Sequence, residues 1–560
     1  MLSHSQAEAR IANQEFDVCV IGGGATGAGC ALDSQLRGLR TVLLEGNDFA
    51  SGTSSTSTKL IHGGVRYLEQ AVKEFDAAEY RVVRRALHER IRMLRNGPFL
   101  SRPMEFIVPC FDWLTVGYMG LGLKMYDWVA GEAGIFNSRF LSKENTLKHL
   151  PLLKSDRLVG SVVYADGQFD DGRYNLALVK SMVEAGGEAL NHARVLALEK
   201  SQQGKLCAVE VENQITGSRF SLRSKAFVNA TGPWADTIRR MANPGAHPRM
   251  RVSKGIHILF SLDAHRGKSA LLIPKTEDGR VLFAVPWFDR LLVGTTETEV
   301  SIDDEMIVTK NEVDYVLRHL NNYLETPLSP RQVVSGMAGM RPLVSASGAK
   351  VTSKLARDHE VELDGQSGLI SIMGGKWTTY RAMSEDTIDA AQKYLGNVVS
   401  PTKTIDHPLA GSEGYSPDYW KTLVSDYVIS AETAQHLAVK FGTRATALLD
   451  LTRKDPGLRE FIVAGLSPIR AEIVYAAREE MAMTLDDVLS RRTGLQFLDW
   501  RAARDAAPIA AALLAQELGW SAEFQRNAVQ AYRDKITRML EVAGLPDQQP
   551  IAQMYSSGSS

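Results

Sequence analysis

Phe16-Asp17-Val18-Cys19-Val20-Ile21-Gly22-Gly23-Gly24-Ala25-Thr26-Gly27-Ala28-Gly29-Cys30-Ala31-Leu32 is the stretch whose reading decides the architecture. The apolar, β-branched run ending at Ile21 reads as a buried strand, the glycines as a tight turn, and Ala28, Ala31, Leu32 and Leu36 as the inner face of a helix. A second apolar run, Thr41 to Leu44, completes a strand-turn-helix-strand unit and ends on Glu45. In that setting G-x-G-x-x-G has a physical purpose. Gly22 permits the turn, Gly24 lets the backbone approach a pyrophosphate, and Gly27 lets helix and strand pack closely. Ala25 and Thr26 open a helix whose unpaired N–H groups suit phosphate oxygens. Glu45 would accept from ribose hydroxyls, and an acid at that point argues against a 2′-phosphate, leaving FAD or NAD.

Outward from this unit, the chain has the size and composition of a multidomain enzyme. Its 560 residues exceed what one hydrophobic core organises. Hydrophobic residues at 44% and charged residues at 23% exclude both a disordered chain and a polytopic membrane protein. With 64 basic and 65 acidic side chains the net charge is -1, so no global field recruits nucleic acid and an anionic ligand must be caught by a local cluster. The four cysteines, Cys19, Cys30, Cys110 and Cys207, form no C-x-x-C pair, which fits a reducing compartment, and no metal site is expected. The first residues carry no targeting pattern and no stretch reaches the roughly 18 apolar residues of a spanning helix. A cytoplasmic protein, or one held at a membrane surface, is the expectation.

Two later turns choose between the dinucleotides. Val228-Asn229-Ala230-Thr231-Gly232-Pro233 and Gly374-Gly375-Lys376 each follow an apolar strand with small residues, as in flavoproteins whose nucleotide domain is assembled from distant segments. With one fingerprint and no second for a nicotinamide cofactor, FAD alone is the better reading. Only nine of the 46 glycines lie after residue 404, where Ala, Leu and Arg recur at helical spacing. The expected fold is therefore α/β (α+β). A Rossmann-type FAD-binding domain, mainly residues 16–70, 190–235 and 335–395, interleaves with a mixed-sheet substrate domain over residues 16–404. An all-helical domain follows at 405–545, with an N-terminal extension at 1–15 and a tail at 546–560.

Several further motifs occur in a fixed order. They are Lys59-Leu60-Ile61-His62-Gly63-Gly64-Val65-Arg66-Tyr67-Leu68 after a Ser/Thr loop, Asn229-Ala230-Thr231-Gly232-Pro233-Trp234, Lys254-Gly255-Ile256-His257, and Gly294-Thr295-Thr296. Gly339-Met340-Arg341-Pro342-Leu343, Arg357-Asp358 and Gly374-Gly375-Lys376-Trp377-Thr378-Thr379-Tyr380-Arg381 complete the series. From about residue 16 to 410 the chain thereby resembles the FAD-dependent glycerol-3-phosphate dehydrogenases of aerobic bacterial type. The resemblance implies oxidation of sn-glycerol 3-phosphate to dihydroxyacetone phosphate by hydride transfer to non-covalently held FAD. It further implies a membrane quinone as acceptor and a peripheral position on the inner face of the cell membrane, with a homodimer left open. An oxygen-using glycerol-3-phosphate oxidase, an amine or amino-acid oxidase of the same superfamily, and a non-catalytic FAD-binding subunit are the alternatives.

A phosphate dianion needs fixed cations, and the planar fork of arginine suits it. Arg341 and Arg357 are placed at the phosphate, Arg66 among the site cations, and Lys376 near the alcohol or flavin, where a point charge can stabilise a developing alkoxide. Removing the hydroxyl proton calls for a base, and His62 and His257 are both candidates, between which the sequence does not choose. Tyr67 would bond the phosphate or the flavin edge, and Thr296 joins the substrate site through the resemblance. The same resemblance assigns Ser57, Lys59, Leu60, Gly63, Gly64, Gly232, Pro233, Gly375, Lys376, Thr378 and Thr379 to the cofactor, Thr379 as a backbone donor to the isoalloxazine. Finally, Arg81, Arg84, Arg85, His88, Arg92 and Arg95 on one helical face, followed by the apolar segment Trp113 to Trp128, suit binding to an anionic membrane surface.

Overall fold

Strand Glu15–Ile21 pairs in parallel with Arg219–Asn229 on one side and Thr41–Leu44 on the other, so its carboxyl end, where Gly22 begins, lies where the strand order changes direction. In open α/β sheets that crevice is the place for a ligand. The computed structural model describes residues 4–64, 77–261, 267–345 and 359–547. Among these, the first sheet has eight strands and extends through Leu369–Gly374 and His359–Leu363 at one end and Glu188–Leu190 at the other, with Ala193–Lys200 and Leu206–Asn213 as an antiparallel addition. Helix Ala25–Leu36 packs between Tyr380–Tyr394 and Asp171–Glu184 to cover it. The segments of this layer come from widely separated parts of the chain, as the interleaving expected.

The second sheet has ten strands among the described residues and is built around the long pair Met250–Ser261 and Val333–Val344, antiparallel over their whole length. On its other side Ser101–Cys110 runs against Gly160–Phe169, which also takes the two-residue strand Leu60–Ile61. The helix carrying the basic face is present as Ala77–Asn96, and the next helix is Trp113–Ala130.

From Tyr419 the chain is helical to Val542. This unit shares a core with the second sheet: Ile256, Ile258 and Phe260 are buried with Trp500, Ala503, Ala507 and Leu514. A run of small residues on one face of Trp500–Leu518 brings that helix close, as alanine ridges do. The segment before Phe16 is also docked, as helix His4–Ala12 with Ala7 and Ile11 buried and His4 Nε2 2.9 Å from the Asn191 carbonyl.

Candidate active site

The cofactor cradle is built from backbone. Gly22 has φ +108, open to glycine without strain, and its N–H donates to the Leu44 carbonyl at 2.8 Å. A Cβ on Gly27 would lie 1.8 Å from the Gly22 carbonyl oxygen, so helix and turn could not meet with any side chain there. Gly24 caps the helix without a side-chain bond, and a Cβ on it would meet only the Ser54 side chain. A Cβ on Gly232 would meet nothing within 4 Å. The open turn at Gly232 and the helix N-terminus at Gly24, covered by the Ser54 side chain alone, are what a pyrophosphate requires, and the residues present fit FAD. Glu45 accepts the Gly23 N–H at 2.6 Å and the Asn47 N–H at 2.8 Å, and burial raises its carboxyl above the ordinary value.

The Ser/Thr loop joins this cradle to the second sheet. Ser54 accepts the Ala25 N–H through Oγ at 2.9 Å and the Trp377 indole N–H through its carbonyl at 2.9 Å. Thr53 donates to the Met340 carbonyl, and Thr58 Oγ1 lies 3.0 Å from His257 Nε2. Two residues assigned to the cofactor have side chains bonded within the protein. Ser57 donates to Asp171 through both hydroxyl and N–H, and the Lys59 ammonium is buried in an ion pair with the same carboxylate, also donating to the Ser55 carbonyl at 2.7 Å. A lysine so enclosed needs a paired acid, and Asp171 supplies it; neither side chain is left for a phosphate.

Other assignments divide similarly. Leu60 is an apolar core residue packed with Val83, Leu87 and Phe106, so it offers backbone alone. A Cβ on Gly63 would run into Leu87 at 2.7 Å and the Tyr126 hydroxyl at 2.8 Å, which makes close packing the reason for that glycine. Gly64, φ +85, ends the described segment. Gly375, φ +76, is required by Met383, whose sulfur a Cβ would meet at 2.4 Å. Pro233 is buried in the turn Gly232–Trp234. The Thr378 hydroxyl accepts the His62 N–H at 3.2 Å. The Thr379 N–H closes the turn onto the Lys376 carbonyl at 3.1 Å, and its hydroxyl donates to the same oxygen.

The second sheet brings Arg341 and His257 together. Arg341 lies opposite Ser253 in register, and its guanidinium passes over Gly255, where a Cβ would be 2.2 Å from Nη2. Nη1 donates to the Thr296 carbonyl at 3.0 Å and Nη2 to Thr295 Oγ1 at 2.5 Å. Thr296 is thus a backbone buttress for the arginine, its hydroxyl accepting the Ile256 N–H at 3.2 Å. His257 is buried, and burial first, then Arg341 and Lys59, lower its pKa to about 3. His62 is brought to about 4 by burial, then by Lys376 and Arg90. Both candidate bases are therefore neutral imidazoles at physiological pH. Arg66, Tyr67 and Arg357 lie outside the described residues.

Sequence reasoning passed over Ser54, Thr58, Asp171 and Thr295. Thr295 stood inside a quoted motif and Ser54 and Thr58 inside the Ser/Thr loop, so a hydroxyl adjacent to an assigned residue was the available signal; Asp171 offered none. A cavity of about 360 Å³ lies between the loop and the helical unit, bordered by Ser55, Thr56, Met337 and Phe497, and takes in none of His62, His257, Arg341 and Lys376.

A dinucleotide cradle and a cation-bearing sheet tied together by one hydroxyl-rich loop is the build of a flavin-dependent oxidoreductase. Comparison with known proteins agrees. Residues 17–381 match the family model for FAD dependent oxidoreductases, and residues 402–525 match that for the C-terminal domain of alpha-glycerophosphate oxidase. Mouse mitochondrial glycerol-3-phosphate dehydrogenase is 40% identical over 518 residues, which are 90% of this chain and 71% of the relative. The Arabidopsis thaliana mitochondrial enzyme is 38% identical, over 94% of this chain and 86% of its own. The FAD complex of glycerol-3-phosphate dehydrogenase from Bacillus halodurans superposes with a TM-score of 0.78 at 29% identity, covering 98% of this chain and all of the other. The chain belongs to the FAD-dependent glycerol-3-phosphate dehydrogenase family, and its cofactor is FAD.

Proposed function

We propose that the chain oxidises sn-glycerol 3-phosphate to dihydroxyacetone phosphate and passes the electrons to a membrane quinone. The observation that carries this is Arg341, a guanidinium held on two sides by Thr295 and Thr296 beside a buried neutral histidine. A fixed fork selects phosphate, and a neutral imidazole next to it can take the proton of a neighbouring hydroxyl. FAD, when bound, supplies the acceptor for the hydride from C2. His257 is the proposed proton acceptor. Its Nδ1 is buried with no partner among the described residues, while Nε2 is held near Thr58. A phosphate on Arg341 offsets the positive charge that helps depress His257, so substrate binding makes the base stronger. Lys376, the cation acting on His62, is proposed to steady negative charge on the alcohol oxygen, with Arg66, Tyr67 and Arg357 retained as phosphate and site contacts.

Anaerobic bleaching of the flavin by a panel of polyol phosphates tests the substrate; bleaching by glycerol 3-phosphate but not by amino acids is expected. The name of the matching C-terminal model keeps an oxygen-using oxidase as the second reading. Stoichiometric oxygen consumption without added quinone would favour it.

The pH profile follows from the two histidines. Each is neutral above its lowered pKa of about 3 or 4, so neither loses its acceptor form as pH falls from 9 to 5. The acid limb of kcat/KM is then expected to follow the second ionisation of the substrate phosphate, about pH 6. It should disappear when unphosphorylated glycerol is the substrate. A limb near 6.5 with both substrates would mean that a histidine titrates in its ordinary range.

For the membrane surface, the two helices divide the work differently from the expectation. No helix among the described residues is long and apolar enough to cross a membrane. Arg85 is bonded to Asp386 and the Ala382 carbonyl and Arg92 to Glu89, while Arg81, Arg84, His88 and Arg95, the last paired with Asp406 at the surface, are turned outward. On Trp113–Ala130, by contrast, Trp113 is 69% exposed, Leu114 87%, Leu121 68% and Trp128 75%. Such a patch on a helix beside outward arginines supports insertion into an anionic interface. Leu114→Glu with Leu121→Glu is expected to lower vesicle binding at least tenfold, since each inserted leucine contributes about 1.5–3 kcal/mol. Dye-linked turnover should persist. Arg84→Glu should cost about 1 kcal/mol and only at low salt. Unchanged vesicle sedimentation of the double variant would return the patch to another role.

A further inference from the structure

We infer that the C-terminal helical unit positions the FAD-binding turn, with Arg491 and Arg492 as positioning residues that act through Asp48. The inference rests on the cradle assigned above and gives the helical unit a task in cofactor retention.

Asp48 belongs to the turn that follows Glu45. That turn surrounds Gly23 of the fingerprint: Glu45 accepts the Gly23 N–H, Ala50 donates to the Gly23 carbonyl at 3.2 Å, and Phe49 lies close enough that a Cβ on Gly23 would meet it at 2.8 Å. Asp48 itself is 1% exposed and is met by four donors. Arg491 Nε and Arg492 Nη1 reach Oδ2 at 2.6 Å each, and Arg492 Nη2 and Asn191 Nδ2 reach Oδ1 at 2.8 and 2.9 Å. Burial alone would raise this carboxyl; Arg492 and Arg491 outweigh it and hold it ionised far below the ordinary range.

The two arginines are consecutive, and an α-helical turn would spread them about 100° apart. Both nevertheless reach one carboxylate, from the segment Asp487–Arg492, which is wound as a π-helix, a rare form frequently found at functional sites. The arginines are in turn fixed from their own side. Arg491 donates to Asp486 and Asp487 at 3.0 Å each, and Arg492 to the Glu480 carbonyl at 2.7 Å. Asp487 also lies 2.9 Å from His192 Nε2, and the N–H of His192 donates to the Asn47 carbonyl, a second hold on the same turn.

The Glu480 side chain extends the grip to the other flank of the fingerprint. It takes Arg173 in a paired bond, both contacts 2.7 Å. Arg173 sits on the helix Asp171–Glu184, whose Asn175 donates to the Gly23 carbonyl at 2.9 Å and whose Asp171 anchors Ser57 and Lys59. Residues 480–492 therefore fix both elements that touch Gly23 and, through Asp171, the loop that holds the Ala25 N–H. A ligand bound by backbone N–H groups depends on their preorganisation, and here that is supplied from a segment more than 400 residues downstream.

The test uses the full-length holoenzyme. Asp48→Asn keeps the shape and removes the charge; Arg492→Gln removes the paired bond. Each is stripped of flavin and titrated with FAD, and flavin visible circular dichroism and thermal unfolding are recorded with and without FAD. FAD affinity is expected to fall tenfold or more in both, with an altered flavin dichroism and a smaller FAD-dependent rise in Tm. Arg492→Lys should recover part of the affinity. If Arg492→Gln does not fold, Asp48→Asn carries the decision. Affinity within twofold of wild type in folded Asp48→Asn, or an equal drop in Tm with and without FAD at unchanged affinity, overturns the inference. Gly24→Val separates the two readings: loss of flavin there with retention in Asp48→Asn rejects the positioning role alone, whereas retention in Gly24→Val rejects the cradle itself.

Discussion

Arg341→Ala is expected to lower kcat/KM for sn-glycerol 3-phosphate by about tenfold to two hundredfold, the equivalent of about 1.5–3 kcal/mol for a charge-assisted contact. The side chain is not a mobile surface cation. It is threaded over Gly255 and tied to Thr295 and Thr296, so a phosphate meets a fork whose position is already set. Arg341→Lys should recover little, because an ammonium cannot make two parallel bonds from one fixed plane. Against unphosphorylated glycerol, already a poor substrate, the same replacement should cost much less. The two substrates and two proteins form a cycle whose interaction term is the arginine–phosphate contact. Equal fractional losses with both substrates would mean that Arg341 serves the fold of the Thr295–Thr296 turn, and the phosphate contact would then be sought at Arg66 and Arg357. Thr295→Val provides a graded control: it leaves the charge and removes one of its two stays, so a smaller loss is expected.

Gly24→Val should abolish flavin retention while leaving the chain folded. A valine side chain would fill the open face at the start of helix Ala25–Leu36, where the fold leaves only the Ser54 side chain. The branched side chain would keep the pyrophosphate from the N–H groups, and losing two charge-assisted contacts of about 1.5–3 kcal/mol each lowers FAD affinity by about a hundredfold or more. Gly27→Val is expected to behave differently, since its Cβ would collide with the Gly22 carbonyl inside the protein. That variant should lose stability whether or not FAD is present. Visible absorbance after gel filtration, read beside thermal unfolding of the apo-proteins, distinguishes the two. Full flavin content in Gly24→Val would show that the fingerprint does not hold the cofactor.

The contrast between these two glycines shows how much of the site was legible. Turn chemistry is local: whether a residue needs φ near +108, or lies one helical turn from a strand end, is decided by neighbours a few positions away. Gly22, Gly24, Gly27 and Glu45 could therefore be placed from the sequence, as could the strand, helix, strand order around them. The division between an interleaved α/β part and a helical part was equally open, because glycine content and 3.6-residue spacing are carried along the chain. The side-chain partners of Ser57 and Lys59 were not legible, because local pattern ends there. A hydroxyl or ammonium in a polar loop reads as a ligand for whatever that loop holds, and nothing nearby in sequence announces the buried Asp171 that takes both.

By itself, then, the sequence determined the dinucleotide turn, the layered fold, the identity of the cofactor and the presence of a fixed arginine in a glycine- and proline-bounded strand. Only the tertiary structure decided that Arg341 rests on Thr295 and Thr296, that the apolar surface lies on Trp113–Ala130, and that Asp48 is held by Arg491 and Arg492 from 443 and 444 positions away. The physical reason is the range of the interactions. Backbone turns and amphipathic spacing repeat over a few residues and leave a period in the chain. A buried ion pair between distant segments needs one acid and one base at any separation, so it leaves no period, and it exists only once packing has excluded water around both partners.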